Sequence, residues 1–212
     1  MTIDEIIAEK EIAELLHFTT NEGLLGILAS GAILSRERLP AEKYLEHVYS
    51  PNAVIRRDLA WLDYVNLSIS RINEVFFRTA ARWHRSRDVW WCAIGLDPML
   101  LTHEKVVFAT TNNIYSGVQR GQGADGLGAL FADAITQWSG NTVKREPDLP
   151  RNCPTCIQAE VLYPEAVPRE HFRRIYVPSE SAADIVGAQM LVLEEGRYSD
   201  LPVLLNPALD VA

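Results

Sequence analysis

Apolar and polar positions alternate along this chain in short blocks whose period changes repeatedly, which predicts small strands and helices in succession. Residues 1–14 read as a short amphipathic helix. The apolar run Leu15-Leu16-His17-Phe18, ended by Thr-Thr-Asn, reads as a strand feeding a helix. Asn21 is placed to cap residues 22–30, where Leu24, Ile27 and Leu28 share one face, and Gly31 stands where a left-handed residue ends a helix. Residues 32–34 form a second short strand, and the polar, Pro-containing residues 36–50 a loop. Pro51 suits the first turn of a helix through Asp58, and residues 64–70 alternate as a half-buried strand does.

Residues 72–85 are expected to be helical, and residues 89–96, rich in β-branched and aromatic side chains, form the strongest strand, stopped by Asp97-Pro98. Residues 105–109 follow as another strand. Five glycines between 117 and 128 predict a loop whose backbone can approach something closely. Beyond it the pattern predicts a helix over 127–138, a long exposed loop over 139–154, strands over 157–162 and 174–177, a helix over 182–188 and a last strand over 189–193. Strands outnumber helices without regular interleaving, so the fold class is α+β with a mixed or mostly antiparallel sheet. With 212 residues and no linker, one domain is expected: an N-terminal helix over 1–14, a core over 15–193 and an acidic tail over 194–212.

Composition narrows the function classes. The longest nearly unbroken apolar run, residues 89–96, is far short of the ~20 residues that a membrane-spanning helix needs. Acids stand near the N-terminus where a signal peptide carries bases, so a cytoplasmic protein is expected, with no membrane partner. Cys92, Cys153 and Cys156 are too few for a disulfide framework. The net charge of −8 is unevenly spread: residues 1–14 carry five acids against one Lys, residues 56–87 seven Arg against three acids, and residues 180–212 six acids against one Arg. Arg outnumbers Lys 16 to 4, which favours forked contacts to phosphate or carboxylate, although Arg78, Arg82 and Arg85 at helical spacing also suit a solvated face.

Familiar motifs are incomplete. Cys153-Pro-Thr-Cys156 has the spacing of half a zinc site without a second pair, so no metal is expected. Gly121-Gln-Gly123-Ala-Asp-Gly126 has the letters of a dinucleotide fingerprint but does not follow a strand in an early βαβ unit. Neither a phosphate loop nor a Gly-x-Ser-x-Gly elbow is present.

Three segments remain. Leu16-His17-Phe18-Thr19 precedes a capped helix; Ser50-Pro-Asn-Ala-Val-Ile-Arg56-Arg57 leads to Asp63-Tyr64-Val65; and Ile157-Gln158-Ala159-Glu160-Val161-Leu162 places a lone carboxylate in an apolar strand after a long polar loop. Taken singly, such a His is commonly structural and such a Glu can face solvent on an edge. Their order and spacing, together with Val107-Phe108-Ala-Thr leading to Tyr115, resemble the DarT family of DNA-targeting ADP-ribosyltransferase toxins over about residues 15–193. Where such proteins continue with Pro-Phe-Tyr-Phe after Asp-Tyr-Val, this chain has Asn66-Leu67-Ser68-Ile69.

The resemblance implies a split, mixed or antiparallel sheet with flanking helices, NAD+ as co-substrate, no metal, single-stranded DNA as acceptor and a macrodomain-type antitoxin as partner. It implies catalytic roles for Glu160 and Arg57, and NAD+ contacts from His17, Phe18, Thr19, Asn21, Gly31, Leu34, Arg57 and Tyr64. Cleavage of the nicotinamide glycosidic bond passes through an oxocarbenium-like state, which a carboxylate such as Glu160 stabilises by accepting a hydrogen bond from the ribose 2′-OH. Arg57, or its neighbour Arg56, offers a forked cation for pyrophosphate or acceptor. Neutral His17 can hydrogen-bond a ribose hydroxyl. Lys144, Arg145 and Arg151 in the loop before Glu160 are expected to hold the nucleic acid, with Trp138 either a stacking platform or a core residue. The rival readings are the same fold acting on RNA, transfer RNA or protein, and a catalytically silent nucleotide-binding module.

Overall fold

The computed structural model describes residues 1–39, 59–83, 88–193 and 197–210. The helix expected from Pro51 to Asp58, and with it Arg56 and Arg57, lies outside the described residues. In chain order the elements are α1 (Ile3–Lys10), β1 (Leu15–Thr20), α2 (Asn21–Ser30), β2 (Ala32–Leu34), β3 (Tyr64–Ile69), α3 (Glu74–Trp83), β4 (Trp91–Leu96), β5 (Val107–Ala109) and β6 (Arg120–Gly121). They continue with α4 (Gly123–Ala129), β7 (Ala134–Trp138), β8 (Asn141–Lys144), β9 (Glu160–Pro164), β10 (Ala166–Pro168), β11 (Phe172–Val177), α5 (Glu180–Val192) and β12 (Val203–Leu205).

Eight strands make one sheet in the order β12-β11-β4-β1-β3-β9-β5-β6. Its pairs are antiparallel except β11 with β12. β4 is buried throughout because both faces of the sheet are covered. Its period of two sends Cys92, Ile94 and Leu96 into the larger core with Leu24, Leu28 and Val186, and Trp91 and Ala93 into a smaller core with Phe77 and Ala80 of α3.

The sheet opens between β1 and β3. β1 pairs with β4 along its whole length, from Leu15↔Leu96 to Thr20↔Trp91, but with β3 only at Leu15↔Ile69 and Leu16↔Ser68. Beyond Leu16 the two strands diverge, and α2 starts directly from the end of β1, which stays paired with β4. Thr20, not Asn21, caps that helix: its hydroxyl accepts from the Gly23 backbone N–H at 3.1 Å. Asn21 is the first helical residue, and its side chain ties the helix start to the Asp88 carbonyl at 3.0 Å and the Trp90 N–H at 3.2 Å. Two adjacent polar residues can each supply a cap, and only the backbone angles at Thr20 (φ −81°, ψ 165°) decide between them. Gly31 adopts the left-handed conformation expected of it, at φ 73°. Thr20→Ala is expected to lower the unfolding free energy by about 1 kcal/mol. Thr20→Ser should keep most of that stability in chemical denaturation, and equal losses in both variants would assign the effect to packing.

Four expected elements are corrected. Residues 127–138 are not one helix: α4 ends at Ala129 and Ala134–Trp138 is strand β7, with Ile135 and Gln137 turned inward. Residues 139–154 are not all loop, because β8 returns against β7 in a hairpin. Its turn contains Gly140 at φ 79°, which the left-handed region favours. Residues 189–193 are not a strand: 189–192 are the last turn of α5, whose N-terminus Ser179 caps, and Leu193 follows as its C-terminal cap. Leu191 and Val192 there are more than 80% exposed, so among the described residues no strand lies beside them to stabilise an extended form. The last strand instead comes from the acidic C-terminal segment, as β12 beside β11. The glycine-rich stretch is likewise not an open loop, since it forms β6 and most of α4. Among the described residues no helix is long and apolar enough to cross a membrane.

Candidate active site

The divergence of β1 from β3 leaves a cleft of about 520 Å³, within the range that holds a small-molecule ligand. α2 contributes Gly23, Gly26, Ile27 and Ser30 to its wall, and residues 112–115 approach from beyond β5. His17, Phe18, Thr19, Leu34, Tyr64 and Glu160 all line it.

His17 sits where the strands part. Its Nδ1 is 3.1 Å from the Asn66 carbonyl oxygen of β3. A carbonyl only accepts, so Nδ1 carries the hydrogen, and burial pushes the ring's pKa below its ordinary 6.5. The neutral ring therefore keeps a lone pair on Nε2, which can accept from a hydroxyl. The sign of the pH effect follows: the folded state binds fewer protons than the unfolded one between the lowered pKa and 6.5, so stability rises with pH through that window and falls on acidification. Urea denaturation at pH 7 and pH 5 should show this loss, and His17→Gln should reduce the slope. An unchanged slope in the variant would assign the acid loss to other groups.

Phe18 is packed against Phe76, Phe77 and Trp91 at ring distances of 5.9, 5.4 and 5.8 Å. Phe18 and Phe76 both reach the cleft, giving it an aromatic wall although β3 carries Asn66-Leu67-Ser68-Ile69. Two residues expected to touch NAD+ are absent from the lining: the Asn21 side chain is committed to Asp88 and Trp90, and Gly31 ends α2. They position the wall without forming it. Arg57 lies outside the described residues.

Glu160 opens β9, paired with Ala109 of β5, and its Oε2 accepts from the Asn113 backbone N–H at 3.0 Å. Asn113 is itself clamped by Arg120, whose Nε donates to Asn113 Oδ1 and whose Nη2 donates to the Asn113 carbonyl, both at 2.6 Å. Sequence reasoning missed this clamp; the available signal was the polar run Thr110-Thr111-Asn112-Asn113 directly after an apolar strand. It also missed Arg36, a cation lining the same cleft.

The hairpin of β7 and β8 stands beside these residues. The Trp138 ring is 43% exposed and meets Tyr115 edge to face at 5.0 Å, with Tyr115 lining the cleft. Trp138 is thus a partly exposed strand residue and not a core residue at a helix end. Lys144 is exposed at the end of β8. Arg145 is an internal staple: its guanidinium donates to the carbonyls of Cys153 at 2.9 Å and Pro150 at 3.0 Å. Exposed Arg151 pairs with Glu11 at 3.6 Å. Cys153 and Cys156 are free and buried, and burial pushes the Cys153 thiol up. Among the described residues no group of three or more His, Cys, Asp or Glu is assembled for a metal.

A family model described as "ssDNA thymidine ADP-ribosyltransferase, DarT" matches residues 16–206. Among solved structures, the chain is similar to Thermus sp. 2.9 DarT in complex with NAD+, with 18% identity and a TM-score of 0.61 over 94% of this chain and 98% of that one. It is similar to the same protein in complex with ADP-ribosylated ssDNA, with 16% identity and a TM-score of 0.62 over 94% and 96%. Thermosipho africanus DarTG in complex with ADP-ribose gives 17% identity and a TM-score of 0.61 over 93% of this chain, which spans 50% of that protein's length. No curated protein matches the sequence.

Proposed function

Because the chain belongs to the DarT family of single-stranded DNA thymidine ADP-ribosyltransferases, we propose that it transfers ADP-ribose from NAD+ to a thymine base in single-stranded DNA. The observation that carries this reading is Glu160, held by Asn113 in the cleft that it shares with His17. A silent nucleotide-binding module has no need of a carboxylate kept there.

In the proposed reaction the bond between nicotinamide and ribose C1′ breaks, and nicotinamide leaves with the bonding electron pair. Glu160 accepts a hydrogen bond from the ribose 2′-OH and stabilises the cation that develops at C1′. An atom of the base then attacks C1′ and forms the new glycosidic bond, and the proton that atom carried passes to water. His17 Nε2 accepts from a ribose hydroxyl, while Phe18, Thr19, Leu34 and Tyr64 line the nucleotide's bed. Arg57 is proposed as the cation for pyrophosphate or acceptor, with Arg36 a second cation at the cleft wall. NAD+ is consumed as co-substrate, and no metal enters these steps.

A single strand fits this chemistry because a base in a duplex must first be extruded, at a cost of a few kcal/mol. Trp138 with Tyr115 offers an aromatic platform, and Lys144 and Arg151 offer cations to phosphates. The resemblance to the Thermosipho DarTG protein supports a toxin role with a macrodomain-type antitoxin as partner.

Incubation with labelled NAD+ and separate pools of single-stranded DNA, RNA and protein tests the reading. Label is expected on the DNA pool, restricted to thymine-containing strands, and it should fall steeply with added salt as neutralised phosphates recover their counterions. Label on RNA or protein alone would replace the acceptor, and an absence of label in every pool would favour the silent module.

A further inference from the structure

Behind Glu160 lies a chain of polar side chains that packing does not explain. Gln137 of β7 and Gln158, just before β9, are 8% and 6% exposed. Gln137 Nε2 lies 3.3 Å from Thr111 Oγ1, 3.4 Å from Cys156 Sγ and 3.3 Å from Gln158 Oε1. Gln137 Oε1 accepts from Asn141 Nδ2, in the hairpin turn, at 2.5 Å. Burying an amide is costly unless both of its ends find partners, and both ends of Gln137 do.

Gln158 is different. Its oxygen is taken by Gln137, whereas its Nε2 has no hydrogen-bond partner among the described residues and is not sealed from solvent. Gln158 lines the cleft together with Glu160, two residues further on. The open end of this amide is therefore a donor left for a ligand in the cleft, two residues from Glu160. With Gln137 Oε1 held by Asn141 Nδ2, turning Gln158 over would set two NH2 groups against each other at 3.3 Å, so the direction of the donor follows from the Gln137–Asn141 pair.

We infer that Gln137 is a positioning residue that holds the Gln158 amide with its N–H donors toward the acceptor base, so that the site selects a base presenting a carbonyl oxygen there, as thymine does, over one presenting an amino group, as cytosine does. The inference rests on the transfer reading above and adds to it the origin of base choice. An amide free to turn would offer either polarity to either base, whereas a fixed one discriminates between them.

The test uses the full chain with NAD+ and two single-stranded oligonucleotides that differ only in one target base, T or C, and reads the ratio of kcat/KM for the two. Gln137→Met keeps the length of the side chain but removes the clamp, and the T:C ratio is expected to fall by about tenfold or more. Gln137→Glu can only accept, so it should turn Gln158 over and shift the ratio further toward C. Asn141→Ala, at a half-exposed position, removes the outer end of the chain and should move the ratio in the same direction even if a buried substitution fails to fold. NAD+ binding by wild type and variants should be equal. A purely structural role would lower both rates together, so an unchanged ratio in folded Gln137→Met or Asn141→Ala overturns the inference while leaving the transfer reading intact. A wild type that labels neither oligonucleotide overturns both.

Discussion

Glu160→Gln should fold as the wild type does and transfer ADP-ribose at least about 10²–10³-fold more slowly. The amide has the same shape, and its oxygen can still accept from the Asn113 N–H that now meets Glu160 Oε2 at 3.0 Å, so the local structure survives. What disappears is the negative charge, and with it the stabilisation of a cation at ribose C1′. The effect therefore belongs to kcat, while NAD+ binding should change little, because the charge acts on the transition state more than on the bound ground state. Single-turnover transfer from labelled NAD+ to a thymine-containing strand, beside a melting curve, separates the two. Near-normal turnover in a folded variant would remove Glu160 from the catalytic role.

The second large effect is expected at Gly126. A Cβ there would stand 2.4 Å from the Gly121 carbonyl carbon and 2.6 Å from its oxygen. Both are backbone atoms, which cannot swing aside as a side-chain end can. Gly126→Ala should therefore cost about 2–3 kcal/mol of stability. Gly128→Ala provides the contrast: nothing lies within 4 Å of a Cβ there, and a helical alanine is favoured over glycine by about 0.5–1 kcal/mol, so that variant should be neutral or slightly stabilised. The strain at Gly126 also reaches the site. Gly121 belongs to β6, whose Arg120 clamps the Asn113 that holds Glu160, so the alanine variant should lose transfer activity beyond what its unfolded fraction explains. Equal melting temperatures for the two variants would show that α4 shifts freely away from β6.

The close approach expected of the glycine-rich stretch is thus real, but it is an approach of the chain to itself. Glycine content shows that a backbone can come close without showing what it meets. A similar limit applies at Arg145: its charge and its place before Glu160 suggest a phosphate contact, but whether a guanidinium is free depends on which carbonyls fold back around it, and here those of Pro150 and Cys153 do.

What the sequence by itself determined was local or carried by order. The strand and helix of residues 15–31, the left-handed Gly31, the alternation through β3 and the apolar β4 follow from side-chain period and backbone preference over a few neighbouring residues. The ordered set from His17 to Glu160 was enough to place the chain in its family. The cleft itself was a tertiary decision. It exists because β1 leaves β3 after two residue pairs while staying with β4 for six, and the His17 ring is oriented by an Asn66 carbonyl 49 residues away. The β7 and β8 hairpin escaped notice because Ala-Ile-Thr-Gln-Trp is too short to separate a period of two from one of 3.6. Asn113 and Arg120 carry no motif, and they became part of the site only when β5, β6 and β9 paired. Period and propensity act between near neighbours, whereas the orientation of a carboxylate, an imidazole or an amide is set by whichever distant backbone group the fold brings to hydrogen-bond distance.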